Sequence, residues 1–133
     1  MTDLIFQTVT CDGRFRQKDQ PSQCGFCSSC LLRRQSLATQ GIEDKTQYVI
    51  THGNEPQSDS IIHLRAMLHQ VEVLRTACYS EQPWHSLSKK YPELEKTVRR
   101  VTQNVADRQQ YEENLLSLYR NYVDEWDKVR NII

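Results

Sequence analysis

The chain carries no excess of either charge: Lys and Arg number 17 and Asp and Glu number 17 among 133 residues. A protein held on nucleic acid mainly by phosphate contacts needs a basic surplus, so nucleic acid is a disfavoured partner. No apolar run approaches the ~20 residues that cross a bilayer, so no membrane span is expected. The first residues, Met1-Thr2-Asp3-Leu4-Ile5-Phe6, lack the basic start and long apolar stretch of a secretory signal. The expectation is a soluble, cytoplasmic protein. Glycine is scarce: Gly13, Gly25, Gly41 and Gly53 are the four, none adjacent to another and none after residue 53. A phosphate cradle built from clustered glycines at a helix N-terminus therefore has no place to form.

Cysteine is the residue in surplus. Four of the five lie at Cys11, Cys24, Cys27 and Cys30, and the fifth is Cys78. An odd, clustered set is a poor disulfide framework and a good metal-site pattern. In Cys24-Gly25-Phe26-Cys27, two intervening residues let both sulfurs turn inward, with Gly25 supplying the turn. Cys27 and Cys30 share a face if a helix starts there, and Cys11 completes four ligands. Four thiolates suit structural zinc, with no position left for water. Iron–sulfur ligation is an alternative, although no Cys-Pro follows at the spacing of the ferredoxin run. A redox Cys-x-x-Cys pair and disulfides are further alternatives, the first lacking its strand–helix context and the second conflicting with the compartment. Cys78 sits on an apolar helical stripe and reads as core. Arg14, Arg16, Lys18, Arg33 and Arg34 can offset the charge of a four-thiolate centre.

The chain divides into two stretches of different grammar, residues 1–57 and 58–133, joined by the turn-rich run His52 to Ser60. Leu4 to Thr10 reads as a strand and Ser29 to Gln40 as a helix closed by Gly41, with Ser28 and Ser29 as candidate caps. Tyr48-Val49-Ile50 reads as a short strand or extended arm. Three helices are expected beyond residue 58. The first carries Leu64, Met67, Leu68, Val71, Leu74 and Cys78. The second starts at Pro92 with the stripe Leu94, Val98, Val101, Val105. The third runs from about Asp107 to Asn131 with the stripe Tyr111, Leu115, Tyr119, Tyr122, Trp126, Val129, Ile133. Trp84 to Lys90 reads as a short turn. The fold expected is mainly α: a small zinc-knuckle segment with a short strand and helix, then a three-helix bundle-like tail. Its last helix packs within the bundle or on a second subunit. His52, His63, His69 and His85 read as surface residues. Glu112, Glu113, Asp124 and Glu125 read as solvated charge.

Thr10-Cys11-Asp12-Gly13, then Gln23-Cys24-Gly25-Phe26-Cys27-Ser28-Ser29-Cys30-Leu31-Leu32-Arg33-Arg34, then Gly41-Ile42-Glu43-Asp44, resembles the C-terminal zinc-binding segment of the 7-cyano-7-deazaguanine synthase family. The resemblance covers roughly residues 4–50, with a gap between Cys11 and Cys24 slightly long for the family. It implies Cys11, Cys24, Cys27 and Cys30 as ligands of one structural Zn2+, with Arg33 at the motif's arginine position. The family uses ATP to convert a carboxylate on a deazaguanine base to a nitrile, through an adenylated intermediate and ammonia. Related proteins occur in bacterial anti-phage systems. The family's nucleotide-binding α/β half, with its Ser-Gly-Gly phosphate loop, has no counterpart here, so this chain alone is not expected to be an enzyme. The reading is a C-terminal or accessory module, the tail of a longer or split enzyme, whose partner is an ATP-binding α/β subunit or a second copy docked through the helical tail. A stand-alone zinc-binding interaction adaptor is the alternative, and an iron–sulfur protein a further one.

Overall fold

The computed structural model describes residues 8, 10, 11, 23–49 and 60–131, with only the backbone of 60 and 61. It is mainly α-helical. Among the described residues five helices follow in order: α1 Ser28–Thr39, α2 Ser60–Cys78, α3 Pro83–Lys90, α4 Pro92–Val101 and α5 Val105–Val129. β-pairing among the described residues is confined to one parallel bridge between Gln23 and Tyr48. Of the strand expected over Leu4 to Thr10, Thr8 and Thr10 are described and neither is in a strand; the rest lies outside the described residues, as do Ile50 and the linker up to Asp59. No described helix is long and apolar enough to cross a membrane.

The tail holds four helices, not three. Pro83 occupies the first turn of α3, where its missing N–H costs nothing, and turns the expected short turn into a full helix around fully buried Leu87. Pro92 does the same for α4, with Glu93 and Glu95 in the first turn and Arg99 and Arg100 in the last, each matching the helix dipole. α4 ends at Val101, because Thr102 turns extended at φ −100° and ψ 141°. The expected stripe therefore breaks: Val98 is buried, while Val101 is 48% and Val105 72% exposed. Asn104 restarts the chain as a helix cap. Its Oδ1 accepts the Asp107 N–H at 2.9 Å and its Nδ2 donates to the Asp107 carboxylate at 3.1 Å.

Two compact units emerge, Met1–Leu68 with Glu125–Ile133, and His69–Asp124. Both α2 and α5 contribute residues to each. In the first unit the buried apolar side chains are Leu31, Leu37, Met67, Trp126 and Val129. Gln35 of α1 donates to the Glu125 carboxylate at 2.9 Å, so Glu125 is a structural partner and not solvated charge. In the second unit Val71, Leu74, Ala77, Cys78, Leu87, Val98, Leu116 and Val123 form the core. Cys78 is fully buried, as its apolar stripe requires. The stripe expected on α5 holds at Trp126 and Val129, both buried, and is shifted earlier in the helix: Leu116 and Val123 are buried, Leu115, Tyr119 and Tyr122 are half-buried, Tyr111 is exposed, and Ile133 lies outside the described residues.

Polar groups lock the second unit. Arg120 donates through Nε and Nη2 to the Cys78 carbonyl at 3.1 and 3.0 Å, which closes the end of α2. Glu95 accepts from Arg99 at 2.7 Å, from Arg108 at 2.8 Å and from the Trp84 indole at 3.1 Å. Arg108 also donates to Glu112 at 2.7 Å. The hydrogen bonds from Arg99 and Arg108 hold the Glu95 carboxyl down at about 2.

A carboxyl lowered in the folded chain contributes stability above its unfolded value and loses it as pH falls through the folded one. Glu95→Gln should therefore lower the urea midpoint most at pH 7, and the gap from wild type should close between pH 4.5 and pH 2. A gap that stays constant across that range would refute the role given to Glu95.

At the end of α1, the Gly41 N–H donates to Ala38 O at 3.0 Å and the Ile42 N–H to Leu37 O at 2.9 Å, a Schellman closure. Gly41 sits at φ 65° with open space where a Cβ would be. Gly41→Ala should thus cost about 1 kcal/mol from backbone strain alone, and Gly41→Asn less. Denaturant titration of both variants measures it, and equal losses would contradict the left-handed explanation.

Candidate metal centre

The knuckle forms because Gly25 adopts φ 87°, a conformation L side chains resist, and so returns the chain from Cys24 toward Cys27. Cys27 then caps α1 from an extended backbone at φ −70° and ψ 162°, and its carbonyl accepts the Leu31 N–H at 2.9 Å. The expected serine N-cap is corrected here: Cys27 holds the N-cap position and makes no side-chain cap hydrogen bond, and Ser28 Oγ lies 3.4 Å from His63 Nδ1. Cys30 follows one turn later on the same side of α1.

Cys11 comes from a separate segment, and Gln23 holds that segment in place. The Gln23 side chain is 2% exposed, accepts from Thr10 Oγ1 at 3.0 Å and donates to Thr8 O at 3.3 Å. Arg33, nearly buried, donates to Thr8 Oγ1 at 3.0 Å. The motif arginine thus braces the segment that presents Cys11. Arg14, Arg16 and Lys18 lie outside the described residues.

The result is a convergence of four sulfurs. The Sγ atoms of Cys11, Cys24, Cys27 and Cys30 all lie within 4.8 Å of one another, with three of the residues buried and Cys11 half-buried. Cys24 and Cys30 stand 3.9 Å apart and Cys11 and Cys27 4.0 Å. One zinc ion with bonds of about 2.3 Å holds tetrahedral sulfurs about 3.8 Å apart, so the arrangement fits a single ion. None of the four is in a disulfide.

Backbone donors surround the sulfurs. The Cys27 N–H approaches Cys24 Sγ at 3.3 Å and the Cys24 N–H approaches Cys11 Sγ at 3.5 Å. The Phe26 N–H also serves Cys24, and the Gly25 N–H serves Cys30. Burial nonetheless pushes the Cys24 and Cys30 thiols up, because desolvation outweighs these donors. A divalent cation at the centre of the four sulfurs reverses that balance by coordinating thiolates.

Sequence patterning alone missed Gln23, Tyr48 and Asp44. Tyr48 packs against the cysteines together with Phe26, and its hydroxyl donates to Asp44 at 2.6 Å. Asp44 also accepts the Thr46 N–H at 3.0 Å, an Asx turn whose signal was the Asp-x-Thr spacing. His63, His69 and His85 are exposed, and His52 lies outside the described residues.

Forty-six residues of the chain, 35% of it, are 41% identical to a 7-cyano-7-deazaguanine synthase from Methylobacillus flagellatus. The match spans 19% of that relative's length. No family model and no solved structure matches the chain.

Proposed function

We propose that Cys11, Cys24, Cys27 and Cys30 hold one structural Zn2+ and that the chain is the C-terminal or accessory module of a protein similar to 7-cyano-7-deazaguanine synthase. The observation that carries the reading is the convergence of the four sulfurs within 4.8 Å. The partial match to the synthase supports the family assignment. Zinc supplies a rigid crosslink there, uniting the knuckle, the start of α1 and the segment of Cys11. A four-sulfur shell leaves no open position, so the ion is not a catalyst. A cluster of several irons would hold its cysteines much farther apart than this set, which favours one ion over the iron–sulfur alternative.

Metal analysis of protein purified without added metal should find about one zinc per chain and no visible colour. Serine at any of the four positions should cut metal content to well under half, while Cys78→Ser leaves it unchanged. Iron with visible absorbance, or full metal content in the serine variants, would overturn the assignment.

On this reading ATP chemistry belongs to a partner, an ATP-binding α/β subunit. The chain has no Gly-Gly pair with which to cradle phosphates. Isothermal titration of the isolated chain with MgATP should show no binding, and the chain should co-elute with such a subunit in size-exclusion chromatography. ATP binding by the isolated chain would refute the accessory role. A zinc-loaded chain that remains monomeric beside that subunit would favour the stand-alone adaptor.

A further inference from the structure

The strap from Ile42 to Val49 does more than leave α1. The Val49 N–H donates to Gln23 O at 3.0 Å, beside the bridge between Gln23 and Tyr48, and this pins the strap to the residue that precedes Cys24. The Tyr48 ring then lies against the cysteine cluster. The Arg34 guanidinium stands 5.4 Å from the centre of that ring, within cation–π range. Arg34 also donates through Nη1 to the Gly25 carbonyl at 3.2 Å, inside the knuckle. Arg34 is four residues past Cys30, so it rises from the cysteine-bearing side of α1. The Tyr48 hydroxyl is fixed by Asp44, which the Thr46 N–H holds in turn.

These contacts form a chain: knuckle carbonyl, Arg34, Tyr48 ring, Tyr48 hydroxyl, Asp44, strap backbone. We infer that Arg34, Tyr48 and Asp44 form a latch over the four-cysteine cluster that sets how fast a bound metal exchanges and how readily the sulfurs are reached from solvent. The inference rests on the zinc reading for its metal arm only. Arg34, Tyr48 and Asp44 are positioning residues: none supplies a sulfur, and each holds the cover in place through the next. The burial of Asp44 works against its charge, but the hydrogen bonds from Tyr48 and Thr46 and the positive charge of Arg33 keep its carboxyl below the usual range. The acceptor that fastens the Tyr48 hydroxyl is thus ionised at neutral pH. The tyrosine itself is held protonated, by burial first and then by Asp44.

The test is the rate at which the zinc-loaded full chain surrenders its ion to an excess of a chromogenic zinc chelator, followed by the colour of the zinc chelate. Tyr48→Ala and Arg34→Ala should speed release at least ten-fold while the metal content stays at one ion per chain. Tyr48→Phe, which keeps the ring and loses the hydroxyl, should fall between them and wild type, and Asp44→Asn should match it. The cobalt-substituted variants should keep the sulfur-to-cobalt charge-transfer bands of wild type, so that faster release reports lost cover and not a broken ligand set. Release within two-fold of wild type in both alanine variants overturns the latch. If an alanine variant does not fold, Tyr48→Phe and Asp44→Asn decide, and rates unchanged in both overturn it. A wild-type chain that takes up no metal fails the zinc reading alone. The latch is then judged by dithionitrobenzoate labelling of the metal-free chain in a Cys78→Ala background, where the same variants should label faster and unchanged labelling overturns it.

Discussion

The first compact unit depends on bringing four sulfurs to one point in a segment with little else to bury. Between residues 23 and 49 the buried aliphatic side chains are Leu31 and Leu37, and the other buried groups are Gln23, Arg33, Gln35 and the cysteines themselves. Burial that modest does not order a polar loop, since each fixed residue costs about 1–2 kcal/mol of backbone entropy. The local geometry is organised around the sulfurs instead. Gly25 takes a left-handed turn, Cys27 starts α1, Cys30 follows one turn on, and Gln23 spends its amide on Thr8 and Thr10. Weak thiol contacts add little to the meeting of four desolvated sulfurs within 4.8 Å, whereas the proposed shared cation would account for it.

The second unit solves the same problem by other means. Its core is aliphatic, with Val71, Leu74, Leu87, Val98 and Val123 all at most 2% exposed. Two of its helices, α3 and α4, are short, and several helix ends have a chemical cause. Proline opens α3 and α4, Asn104 opens α5, and Arg120 closes α2 by taking up the Cys78 carbonyl. Glu95 adds a polar junction among α3, α4 and α5 through Trp84 and Arg108. None of the four clustered cysteines belongs to this unit. On the zinc reading, metal loss therefore removes the organising element of one unit and leaves the other's core chemistry intact.

Legibility in the sequence followed how local the cause was. The cysteine spacing, the Gly41 closure and the Pro92 start each depend on a few adjacent residues, and each was readable. The α5 stripe was read correctly at Trp126 and Val129 but one residue off earlier in the helix, since Leu115 and Leu116 are neighbours and three-four spacing runs through either. Only the packing decides that Leu116 is 4% exposed. The break between α4 and α5 was hidden because Val105 continues the spacing from Val98 and Val101. Its marker was present in Asn104 and Asp107, a cap residue followed three positions later by an acid. Gln23 gave no signal, because a glutamine before a cysteine says nothing of a partner thirteen residues upstream.

Arg33 and Arg34 illustrate why adjacent charges cannot be given one role. Sequence alone made both of them neutralisers of thiolate charge. In the fold they leave α1 in different directions, about 100° apart on any helix. Arg33 turns inward to Thr8 and braces the segment of Cys11, whereas Arg34 spans from the knuckle carbonyl to the Tyr48 ring. What geometry adds is that the two guanidinium groups brace the two segments that must stay close for the sulfurs to remain together. A lysine at either position would keep the charge but lose the planar fork that lets one side chain stack and donate at once. The four-sulfur cluster is therefore braced from outside by two arginines, each acting on a different segment.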